Sequence, residues 1–72
     1  MVYIEVYVFG TLLVQNDNDS KRVYFVIEPQ LYRFQRQMYL YDWKVMNEER
    51  CMYKGLDGYK LTLERKCEDA NN

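Results

Sequence analysis

Seventy-two residues with a formal net charge of −1 and no histidine describe one small domain, which buries only about 60% of its unfolded surface and so has a thin core. Without imidazole the usual general base, metal ligand and neutral-pH switch are missing, and with them the common serine and cysteine triads. Two cysteines, Cys51 and Cys67, are too few for a disulfide scaffold and, without a second pair, do not make a zinc site.

The opening MVYIEVYVFG alternates: Val2, Ile4, Val6 and Val8 fall on one side, Tyr3, Glu5, Tyr7 and Phe9 on the other. That is strand chemistry. The segment lacks a basic start, contains Glu5 and Gly10, and falls short of the roughly 20 apolar residues that span a bilayer. It reads as core, and a soluble, reducing, cytoplasmic setting with free thiols is expected. Gly10 marks a bulge or a bend before the strand TLLVQ. QNDNDS, residues 15–20, is dense in side chains that bond their own backbone and tolerate left-handed conformations, so a hairpin is expected there. KRVYFVIE supplies the returning strand, which Pro29 ends.

Two periods compete over LYRFQRQMYLYDWKV, residues 31–45. Leu31, Phe34, Met38, Tyr41 and Val45 recur at helical spacing, whereas Tyr39, Tyr41, Trp43 and Val45 line one side of an extended chain. The residue types from Met38 onward favour a strand near 37–46, preceded by a short helix or turn near 30–36. NEER reads as a polar connection. CMYK, GLDG and YKLTLERK then form a second hairpin, with Leu56 and Asp57 as its loop and Cys51 opposite Thr62. Cys67 falls out of register with Cys51, so no cross-hairpin disulfide is predicted. CEDANN is a polar end. The expected architecture is mainly β: a small antiparallel sheet or open barrel of about five strands, with one short helix after Pro29, forming a single domain over residues 1–68 with a tail at 69–72.

No phosphate-cradling glycine loop is present. The acidic neighbours Glu48 and Glu49, Glu64 and Glu68, and Asp17 and Asp19 read as solvated turns and faces. Asp17, Asn18 and Asp19 resemble the start of a calcium loop but lack its glycine and distal glutamate. No enzyme activity, metal or cofactor is expected.

The aromatic stretch is where function is sought. A core reading packs Phe34, Met38, Leu40, Tyr41 and Val45 inward. A single sheet hides only one face well, however, so some tyrosines should stay exposed, and exposed tyrosine and tryptophan beside arginine is the composition of binding hot spots. The expected function is non-catalytic binding of a protein partner through Arg33, Arg36, Tyr39, Tyr41, Trp43 and Lys44, as suits a small inhibitor or adaptor of viral or mobile-element type. The alternative is a small barrel that stacks single-stranded nucleic acid on Tyr39, Tyr41 and Trp43 while Arg33, Arg36, Lys44 and Lys54 follow the backbone. Residues 21–54 carry seven basic against four acidic side chains, far from the strongly basic footprint of a duplex binder. A membrane partner is not expected. A homodimer is, because eight tyrosines suit interfaces and a thin core gains from added buried area.

Overall fold

The computed structural model describes residues 10–66. Within them the elements run β1 (Thr11–Gln15), β2 (Lys21–Ile27), a 3-10 turn (Glu28–Gln30), α1 (Leu31–Leu40), β3 (Lys44–Tyr53) and β4 (Leu56–Glu64). The four strands form one open antiparallel sheet in the order β1-β2-β4-β3. The mainly β reading is therefore correct, with an open sheet in place of a barrel. The strand expected over residues 1–9 lies outside the described residues.

Both β2 and β3 run antiparallel to β4, so they are parallel to each other with β4 inserted between them. Parallel strands need a crossover, and α1 lies in that connection, as in a split βαβ unit. The helix covers one face of the sheet. Tyr24 and Val26 from β2, Leu61 and Leu63 from β4, Phe34 and Met38 from α1, and Trp43 make the buried cluster. The Tyr24 and Phe34 rings meet edge-on, 4.9 Å between centroids. In β2 the three consecutive residues Tyr24, Phe25 and Val26 are all buried, as in a strand covered on both faces. On the face away from the core cluster, Phe25 packs against Tyr53 at 5.2 Å.

The first hairpin follows its residue chemistry. Asn16 Oδ1 accepts from the backbone N–H groups of Ser20 and Lys21, both at 2.9 Å, and Asp19 takes a left-handed φ of 53°. These are the bonds that asparagine and aspartate offer a turn.

Three expectations need correction. The helix does not stop near residue 36 and give way to a strand over 37–46: it runs to Leu40, and β3 begins only at Lys44. Burial decided between the two periods, because the helical spacing puts Phe34 and Met38 fully inside, which outweighs the strand preference of the tyrosines. Asp42 then ends the helix at a left-handed φ of 67°, and the N–H groups of Tyr41 and Trp43 both donate to the Met38 carbonyl.

Second, the β3–β4 loop is Lys54–Gly55, two residues earlier than expected. Both have positive φ, 50° and 80°, as a tight hairpin turn matched to strand twist requires. Cys51 therefore faces Gly58 and not Thr62. Third, Asn47, Glu48, Glu49 and Arg50 belong to β3 rather than to a connection. An edge strand with exposed faces tolerates such polar residues.

Candidate functional site

Tyr32, Arg36 and Tyr39 stand at i, i+4 and i+7 on α1, one stripe of a helix with 3.6 residues per turn. Arg33 and Leu40 flank it at i+1 and i+8. All five are exposed: Tyr32 by 71%, Tyr39 by 76% and Leu40 by 70%. The opposite stripe of Phe34 and Met38 is locked into the core, so the outer face is held rigidly by the packing beneath it. Gln35 adds a tie to the sheet, its Nε2 donating to Glu48 Oε1 at 2.9 Å. The helix contains two arginines and no acidic residue.

The six residues singled out from sequence are not brought together. Arg33, Arg36 and Tyr39 share the outer face of α1. Tyr41 is half-buried against the core. Lys44 is exposed at the start of β3, where it lines a broad, open concavity of about 930 Å³ whose other charged groups include Asp42, Glu64, Arg65 and Lys66. Trp43 is only 2% exposed and belongs to the core. As a partner anchor it is therefore corrected: the helix end at Asp42 turns the chain inward, so Trp43 no longer shares a face with Tyr39. Tyr39, Tyr41 and Trp43 thus form no common stacking surface. Tyr32 and Leu40, outside those six, stand exposed beside Tyr39 on the helix, and the signal for them is the helical spacing itself.

Trp43 sits beneath a charge cluster that the sequence did not announce. Asp19 accepts from Arg22 through Nε at 2.7 Å and a terminal nitrogen at 2.8 Å, from Arg65 at 2.8 Å, and from Gln15 Nε2 at 2.8 Å. The two guanidinium carbons lie 4.6 Å and 4.3 Å from the Trp43 ring centroid, cation–π distances. Arg22 also donates to the Tyr24 hydroxyl at 2.9 Å. The cluster pins the first hairpin turn to the end of β4, with Arg65 Nε reaching the Asp19 carbonyl at 3.2 Å.

The hydrogen bond from Arg22 holds the Asp19 carboxyl below its usual value, despite burial acting the other way, and the same bond raises Arg22 further into its always-charged range. Because the folded value of Asp19 is depressed, its stabilising contribution is complete above about pH 4 and is lost as pH falls through that lower folded value. Asp19→Asn keeps a residue that tolerates left-handed φ but removes the charge. It is expected to cost about 2 kcal/mol at neutral pH and to flatten the acid limb of stability. Melting curves from pH 7 to pH 2 check both, and an unchanged acid limb would contradict the assignment.

Among the described residues no helix is long and apolar enough to cross a membrane, and no group of three or more metal-ligating side chains forms. Compared with protein-family models, curated proteins and solved structures, the chain matches none of them.

Proposed function

We propose that the protein acts without catalysis, by binding a protein partner through the outer face of α1. The observation that carries this reading is the exposure of Tyr32, Tyr39 and Leu40 on one helical stripe beside Arg33 and Arg36. Tyrosine and arginine on a rigid support are the residue types that dominate binding energy when desolvated. The face is cationic and partly apolar, so the complementary partner is an acidic segment bearing leucine or aromatic side chains. A second copy docked helix to helix fits poorly, since it would bring together two helices that each carry two arginines and no acidic residue. A role as a small inhibitor or adaptor is consistent with such a surface.

The test uses ¹⁵N-labelled full chain titrated with synthetic peptides rich in Asp, Glu, Leu and Phe. Shifts are expected at Tyr32, Arg33, Arg36, Tyr39 and Leu40. Tyr39→Ala and Arg36→Glu should each weaken binding by about 2 kcal/mol, roughly 30-fold, with thermal stability changed by no more than about 0.5 kcal/mol. Shifts confined to another surface, or no binding by any acidic peptide, would remove this reading. Saturable binding of single-stranded DNA or RNA that weakens steeply with salt would replace it by the nucleic-acid one.

A further inference from the structure

The β3 edge of the sheet points to a second interaction, independent of the α1 face. β3 bonds to β4 on one side only, and on its other side the outward backbone groups of a ten-residue strand meet no described element. An unpaired edge is a template for another strand. β3 contains no proline, its single lysine is the first residue, and its one bulge falls between Val45 and Asn47, leaving Asn47–Tyr53 regular; the exposed charges Glu48, Glu49 and Arg50, which guard the edge against a foreign strand, carry both signs. Met46 and Met52, near the two ends, are exposed.

We propose that this edge pairs antiparallel with the same edge of a second copy, joining two four-stranded sheets across a two-fold axis. Directly opposed residues of an antiparallel pair share a face, so such an axis must run through a residue that opposes itself. Centred on Glu49, it sets Glu48 against the partner's Arg50 and Arg50 against the partner's Glu48. Two opposite-charge cross-strand pairs result. Glu49 meets its own copy, but each Glu49 has Lys60 at 3.5 Å to offset the charge. Centring on Glu48 or on Arg50 opposes like charges and forms no opposite-charge pair in return. The existing contacts of Glu48 with Gln35 at 2.9 Å and of Arg50 with Glu28 at 3.4 Å are exposed, and exposed pairs are cheap to rearrange. A two-fold perpendicular to the sheet keeps faces, so both α1 helices stand on the same side of the joined sheet.

Sedimentation equilibrium of the full chain tests this, with circular dichroism on every variant to separate loss of assembly from loss of fold. The wild type should sediment as two 8.9 kDa chains. Arg50→Glu should weaken the dimer about tenfold or more, and the charge swap Glu48→Arg with Arg50→Glu should restore it. The same register sets Asn47 against the partner's Cys51. Asn47→Cys should therefore give a covalent dimer under mild oxidation, and the added change Cys51→Ser should abolish it. A wild type that stays monomeric, a dimer indifferent to Arg50→Glu, a swap that fails to rescue, or oxidised Asn47→Cys that remains monomeric would each overturn the edge pairing. A dimer lost instead in Tyr39→Ala would move the interface to α1.

Discussion

Trp43→Ala is expected to cost about 3–5 kcal/mol, a large part of the roughly 5–15 kcal/mol that holds a domain together. Trp43 is buried among Tyr24, Phe34, Met38, Leu61 and Leu63, so truncation leaves a cavity that two strands and a helix cannot close without moving. The loss is compounded because Arg22 and Arg65 rest on its ring. A urea titration followed by far-ultraviolet circular dichroism measures the effect. Trp43→Phe should cost only about 1–2 kcal/mol: it keeps a ring in the site and removes a buried indole N–H that has no hydrogen-bond acceptor among the described residues. Tryptophan emission of the wild type should be blue-shifted. If Trp43→Ala instead folds normally and fails only in binding, the buried placement is wrong and the residue returns to the working surface. Variants that test the proposed α1 face should therefore leave Trp43 intact.

Gly58→Ala is expected to cost about 3 kcal/mol, at the upper end for overpacking, although it adds a single methyl group. Gly58 is buried in β4 opposite Ile27 and Cys51. A Cβ there would collide with the Val26 carbonyl oxygen, and would lie 2.7 Å from the Phe25 ring and 2.9 Å from the Ile27 Cα. Two of those neighbours are backbone of the paired strand, which cannot yield without breaking the end of the β2–β4 ladder, where Gly58 pairs with Ile27. A glycine inside a strand commonly marks such a close approach. The thermal midpoint should fall by roughly 12–24 °C, at 4–8 °C per kcal/mol for a domain of this size. Gly55→Ala is the useful contrast. Nothing lies within 4 Å of its Cβ position, and its cost, near 1 kcal/mol, comes from the positive φ alone. Equal losses at the two positions would show that packing around Gly58 is not what matters.

The local elements of the chain were legible wherever one signal stood alone. TLLVQ and KRVYFVI alternate or carry β-branched and aromatic residues, and QNDNDS can satisfy its own backbone, so β1, β2 and their turn follow from residue chemistry within a few positions. The existence of a helix after Pro29 and of a hairpin around Gly55 was legible for the same reason, as was the absence of imidazole chemistry. Tertiary structure decided what had two local solutions. Met38 to Leu40 suit a strand by residue type and a helix by spacing, and only the hydrophobic site formed by Tyr24, Val26, Leu61 and Leu63 makes the helix win. Asp42, left-handed at the helix end, then fixes which aromatic residues face water: Tyr32 and Tyr39 outward, Trp43 inward. Likewise Gly55, Asp57 and Gly58 are all turn formers in isolation. The loop settles at Lys54–Gly55, which leaves Gly58 inside β4, where the backbone of β2 has no room for a Cβ. The Asp19–Arg22–Arg65 cluster joins residues 46 positions apart, a separation that no local pattern encodes. Period and composition act over a few residues, while burial and charge pairing act across the sheet, and where the two disagreed the long-range terms prevailed.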